Sequence, residues 1–142
     1  MKRILFLIAL VSGLNVGTNT SLANVCSNTY KKCQYPDKSF QISSSSRSIK
    51  LRKGKKARIV LNALGGKEYY FSTYPKPKVG ALQFKIINTN GNKVLYDNAS
   101  EGLIDHKTFG VENTQKLFIE IFAPNWKSNN TYECSGFMIG YR

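Results

Sequence analysis

Chemistry in this chain would have to come from its carboxylates, its serines, its three cysteines or its single histidine, His106. Eight carboxylates are present, and glycoside hydrolysis would need two of them facing each other across a cleft. Asp97, Glu101 and Asp105 fall close together beside Asn98, an oxygen-rich set of the kind that calcium takes. Their spacing does not repeat, and acidic loops between strands commonly serve solubility, so no metal is expected. Asp105 next to His106 suggests an acid–base pair, but neighbouring residues on a strand point to opposite faces. That spacing argues against a dyad. There is no Gly-x-Ser-x-Gly elbow, and one histidine gives no zinc pattern. No catalytic residue is assigned, no cofactor is expected, and the chain reads as a non-enzyme.

Charge is the stronger signal. Arg47, Lys50, Arg52, Lys53, Lys55, Lys56 and Arg58 fall within twelve residues that hold no acid. If the flanking segments form a hairpin around Gly54, much of this charge gathers at one turn and on its outward face. Point charges of this kind hold sulfated or carboxylated glycan, lipid phosphates or nucleic acid. The plainer reading is an edge strand that its lysines protect from aggregation. Trp126, the only tryptophan, sits in a polar Asn/Lys loop and is the second binding candidate; it equally suits a cap on one end of the domain. Tyr69, Tyr70, Phe71 and Tyr74 form an aromatic cluster, of which strand alternation sends half to the core.

The elements that must position these residues are short strands. Lys2 and Arg3 precede the apolar run Ile4–Val11, and Ser21-Leu22-Ala23 has the form of a signal peptidase site. Residues 1–23 therefore read as a signal peptide, too short in its apolar run to anchor in a bilayer. The product is expected in the periplasm or outside the cell. Removing Lys2 and Arg3 lowers the net charge from +13 to +11, which favours an anionic polysaccharide or envelope surface, with nucleic acid less favoured. Residues 24–39 read as an irregular leader and 40–142 as one domain.

Outside the cytoplasm a disulfide is expected. Cys33 with Cys134 would tie the start of the domain to its last strand, leaving Cys26 free, lipidated or paired between chains. Gln41–Arg52, Ala57–Leu64 and Glu68–Tyr74 read as strands, with a hairpin signal at Gly65-Gly66. Leu82, Phe84 and Ile86 alternate with polar residues, and Asn90-Gly91 turns the chain into Lys93–Asp97. Thr108–Val111, Lys116–Ala123 and Ser135–Tyr141 complete the set. About eight short strands without a helical period predict an all-β, single-domain antiparallel β-sandwich of jelly-roll type, with a barrel as the alternative. Asn98-Ala99-Ser100 and Asn129-Asn130-Thr131 are glycosylation sequons.

Lys67-Glu68-Tyr69-Tyr70-Phe71, Leu82-Gln83-Phe84-Lys85-Ile86, the Asn90–Asn98 hairpin, Phe109-Gly110-Val111 and Leu117–Ile121 follow one another in order. That order resembles small secreted bacterial β-sandwich proteins and, more distantly, the pre-peptidase C-terminal type of sandwich. Cys134-Ser135-Gly136-Phe137 with Cys33 near the start suits the first group better. The resemblance covers roughly residues 33–142 and implies a non-enzymatic envelope or extracellular module. It carries over no catalytic residue. The expected role is a binding or accessory module of the bacterial envelope, working through Arg47–Arg58. The alternative is a structural subunit of a larger envelope complex, in secretion or surface motility, docked through edge strands and Trp126.

Overall fold

The computed structural model describes residues 26–142, so the expected signal peptide lies outside the described residues. Period-two alternation dictates the architecture. Ile59, Leu61 and Ala63 are buried while Arg58, Val60 and Asn62 between them are exposed. Nine strands result: β1 (Gln41–Ile42), β2 (Arg47–Arg52), β3 (Ala57–Ala63), β4 (Lys67–Pro75), β5 (Gln83–Asn88), β6 (Lys93–Asp97), β7 (His106–Val111), β8 (Gln115–Phe122) and β9 (Tyr132–Tyr141). The front sheet runs β1 and β2 on β9, then β4, then β7; the back sheet runs β3-β8-β5-β6. All pairings are antiparallel.

The topology is a folded ribbon. β2 pairs with β9, β3 with β8, β4 with β7 and β5 with β6. The chain is thus one long hairpin whose tip is the β5–β6 turn, bent so that successive segments alternate between sheets. That is a jelly roll, as the sequence predicts. Between the sheets lie Leu51, Phe71, Phe84, Ile119, Phe137 and Ile139, all almost wholly buried. Truncating one of these phenylalanines to alanine would cost about 3–5 kcal/mol.

Three sequence readings of the connections change. Gly54 and Gly65-Gly66 are not hairpin turns, because β2, β3 and β4 alternate between the two sheets. They are corners of the ribbon, and the glycine signal marks a tight bend without saying which strands pair across it. At the ribbon tip the positive φ angles fall on Gly91 (78°) and Asn92 (53°), one residue later than an Asn90-Gly91 turn would place them. The expected Gln41–Arg52 strand splits in two. Ser46 Oγ both donates to the Ile139 carbonyl (3.1 Å) and accepts from the Ile139 N–H (2.9 Å), so a serine hydroxyl stands where a strand backbone would pair.

Residues 26–40 form a third layer on the outer face of the front sheet. They begin with a 3-10 turn at Thr29–Lys32 and run along β9 in its own direction. Tyr30 lies over Gly136, where an added Cβ would come within 2.6 Å of the Tyr30 Cα; Pro36 and Phe40 reach Gly140. Tyr70 donates its hydroxyl to the Gln34 carbonyl (3.0 Å), and Ser48 Oγ accepts from the Tyr30 N–H (3.2 Å).

This layer corrects the cysteine assignment. The disulfide joins Cys26 to Cys134, with Cα atoms 5.2 Å apart, and Cys33 is free and buried. Cys33 has travelled with the leader to the level of Ser72 and Met138. Met138 lies four residue steps along β9 from Cys134, roughly 13 Å, beyond the reach of a disulfide. With its sulfur in that bond, Cys26 is not available as a lipid carrier. Burial is the main force that pushes the Cys33 thiol up to about 12, so it stays protonated and closed to reagents.

The Cys26→Ser variant is expected to lose about 2–5 kcal/mol of stability, read as a lowered urea midpoint. Native protein at pH 8 should resist alkylation at Cys33, and reduction of Cys26–Cys134 should speed it by releasing the leader. A Cys33–Cys134 bond in a non-reducing peptide map would overturn this layout.

Candidate binding site

The basic run does not stay together. Arg47 lies at the start of β2, its guanidinium donating to the Ser45 carbonyl (3.2 Å). Lys50 and Arg52 share the outer face of the front sheet, opposite Cys134 and Tyr132 of β9. Lys53 and Lys55 are on the corner between sheets, with the Lys53 N–H on the Thr131 carbonyl (2.9 Å). Lys56 and Arg58 belong to the back sheet. Both hold Glu120, at 2.8 and 2.9 Å. The Arg47–Arg58 hairpin expected from the sequence is absent because its two arms belong to different sheets.

What the structure assembles is a smaller cationic cluster around Tyr132, a residue 44% exposed. Lys50 Nζ stands 4.5 Å from the ring centroid and the Arg52 guanidinium 5.8 Å. Beside them is a hollow of about 180 Å³, lined by Lys50, Lys76, Asn130, Tyr132, Glu133 and the Cys26–Cys134 bond. Glu133 accepts from Ser128 Oγ and from Asn130 Nδ2 (2.8 Å). Those two hydrogen bonds, with smaller help from Lys76 and Lys78, hold its carboxyl below the usual range. The hollow thus sets an aromatic face and two ammonium groups beside one carboxylate, Glu133, which already takes the Asn130 amide. Nothing in the sequence joined Lys76 to Asn130, which lie 54 residues apart in chain order.

Trp126 serves this site indirectly. It is half-buried against the core, and its indole N–H donates to the Ser128 (3.0 Å) and Asn130 (3.2 Å) carbonyls. It therefore caps one end of the sandwich and sets the loop that carries Asn130. The aromatic cluster of β4 is not a free gripping surface. Tyr69 and Phe71 face the core, and Tyr70 lies under the leader, its ring 5.9 Å from that of Phe40.

Asp105 and His106 do meet, against the sequence expectation: Oδ1 and Nδ1 are 2.7 Å apart. Strand alternation does not apply, because β7 begins at His106 and Asp105 is still in the preceding bend. His106 is opposite Ser72 on β4, and Ser72 touches the Cys33 thiol. Neither nucleophile is accessible: Ser72 is fully buried, and Cys33 is 4% exposed. The other acids of that region are also engaged. Asp97 takes Gln83, the Ala99 N–H and Lys85; Glu101 takes Lys107 and Tyr96. Among the described residues no three His, Cys, Asp or Glu side chains cluster as a metal site. The Asn98 sequon is closed as well, since that side chain is buried and bonds Phe84, Leu82 and Ile104.

No protein-family model matches the chain, and no curated protein does. Among solved structures, the crystal structure of PliG from Aeromonas hydrophila, a periplasmic lysozyme inhibitor of g-type lysozyme, is similar. The match covers 76% of this chain and 90% of that one, at 10% identity and a TM-score of 0.47.

Glu120 provides a pH test of the divided patch. Burial pushes its carboxyl up, but hydrogen bonds from Lys56 and Arg58 outweigh it and hold the group below 4.5. A carboxyl depressed on folding stabilises above its unfolded value, and that stability is lost as pH falls through the folded value. Glu120→Gln should therefore cost about 1–3 kcal/mol at pH 7 and weaken the acid dependence of the urea midpoint below pH 4.5. An unchanged acid profile would show that the triad contributes nothing.

Proposed function

We propose that this chain is an exported, non-enzymatic binding module of the bacterial envelope, holding an anionic polysaccharide or similar polyanionic surface at the Tyr132 site. The observation that carries the reading is the placing of Lys50 and Arg52 over one exposed tyrosine, with Lys76 lining the same hollow, so that three cations outnumber its one carboxylate, Glu133. Aromatic faces stack on sugar rings, and ammonium groups take the acid substituents. Lys53 and Lys55 on the adjoining corner would extend the contact along a polymer. Export is supported by the signal-like residues 1–23 and by the Cys26–Cys134 bond. The described residues contain no helix long and apolar enough to cross a membrane. The non-enzymatic reading is supported by the burial of Ser72 and Cys33 beside His106.

A second reading, a structural subunit of a larger envelope complex, has one feature in its favour. The outer face of the back sheet is not covered by the leader. Across it Val60, Phe118, Ile87 and Val94 align in one row by strand register, and Val60 and Val94 are 46% and 49% exposed. A protein retained from native envelope at high salt, and lost on Val94→Glu, would favour that reading.

The polyanion reading is tested with polygalacturonate, a polymer of carboxylated sugars. Binding by the chain starting at residue 24 should weaken steeply as salt rises. The Lys50→Glu/Tyr132→Ala double variant should bind at least about tenfold more weakly, whereas Lys116→Glu on the back sheet should match the wild type. Equal losses from both variants would reduce the effect to net charge and overturn the assignment of the site.

A further inference from the structure

The back sheet ends on β3, whose far side has no strand partner among the described residues. Natural edge strands are guarded by lysine, proline or bulges, and β3 is guarded only where it begins, at Lys55, Lys56 and Arg58. From Ile59 to Leu64 there is no charge and no proline, while Val60 and Leu64 are 46% and 56% exposed. Facing this stretch on the same open side of the sandwich are Ser43 and Ser45, in the turn between β1 and β2. The gap is a cleft of about 320 Å³ whose walls include Val60, Asn62, Tyr69 and Tyr141, with no acid or base among its lining residues. The two tyrosine rings stand 6.4 Å apart. Tyr69 is held by the Leu64 N–H, which donates to its hydroxyl at 2.8 Å.

We propose that this cleft receives one extended strand of a partner protein, added antiparallel along β3, with alternate apolar side chains and an acidic C-terminal end. An unpaired strand edge is a row of backbone donors and acceptors, which an extended polypeptide matches and a sugar does not. Every second side chain of such a strand faces the cleft beside the partly exposed Tyr141 ring, and those between lie beside Val60 on the outer face of the back sheet. All pairings in both sheets are antiparallel, so the added strand runs against β3. Its C-terminal end then lies beside Lys55, Lys56 and Arg58. Glu120 neutralises only one of the two charges it holds, which leaves this end of the edge positive. The Tyr132 hollow is lined by different residues, on the outer face of the front sheet, so this strand site stands or falls independently of polyanion binding.

The test uses a fluorescent eight-residue peptide of alternating valine and threonine that ends in two glutamates. Binding to the chain starting at residue 24 is followed by anisotropy and by amide exchange. The peptide is expected to bind at least about tenfold tighter than a version with proline at its centre, or one with the glutamates moved to its N-terminus. Exchange of β3 amides should slow on binding. Val60→Lys, an exposed position, should remove the binding while leaving the melting temperature and polygalacturonate affinity unchanged. Three results would each overturn the proposal: no binding up to about 1 mM, equal binding by the proline or glutamate-shifted peptide, or full binding by Val60→Lys.

Discussion

The close seat of the leader on β9 is the contact on which the rest of the front sheet depends. It exists because Gly136 has no side chain, so the Tyr30 backbone can lie directly on the strand. The Cys26–Cys134 bond fixes one end of the overlay, and the β1–β9 pairing fixes the other. Between these ends the leader shields Tyr70, Ser72, Met138 and Cys33, a strip that would otherwise be an exposed, partly polar sheet face. A cross-link closing a loop of this size contributes about 4–5 kcal/mol in the chain-entropy picture. The same bond forms one wall of the Tyr132 hollow, so site and staple share atoms.

The ribbon topology explains why one basic segment serves two surfaces. Each corner carries the chain from one sheet to the other, so residues on either side of Gly54 diverge although they are close in sequence. Lys50 and Arg52 end on the front face with Tyr132, and Lys56 and Arg58 end on the back face with Glu120. Conversely, Lys76 and Asn130 come together from connections far apart in the chain.

Electrostatics separate these two groups. Glu120 is 5% exposed at its side chain while its two cations are more than half exposed. The acid is thus the desolvated member and the bases are its supports. Most other carboxylates also have partners, as in Asp97 with Lys85, Glu101 with Lys107, and Glu68 with Arg142. Exposed pairs of this kind contribute little to stability. They do consume much of the negative charge of a chain that carries 21 basic and eight acidic residues.

Strand content, the inward rows and the antiparallel sandwich were legible in the sequence, because period-two alternation of Ile59/Leu61, Phe84/Ile86 and Ile119/Ile121 is local and each row needs a core to bury it. The existence of a disulfide was legible from the signal-like residues 1–23, which predict an oxidising compartment. Its partners were not, because the distance of Cys33 or Cys26 from Cys134 depends on how far the leader advances along β9. Strand alternation also misjudged Asp105 and His106, since the bend between them decides whether they meet. The basic segment was visible, but its division was not. Turn glycines specify that a chain bends, and the pairing across a bend is decided by which distant strand buries the matching apolar row. For that reason Lys50 was legible from local sequence as a member of a basic run and no more. Tyr132, Lys76 and Asn130 became its neighbours only when β9 and the end loops closed over the ribbon.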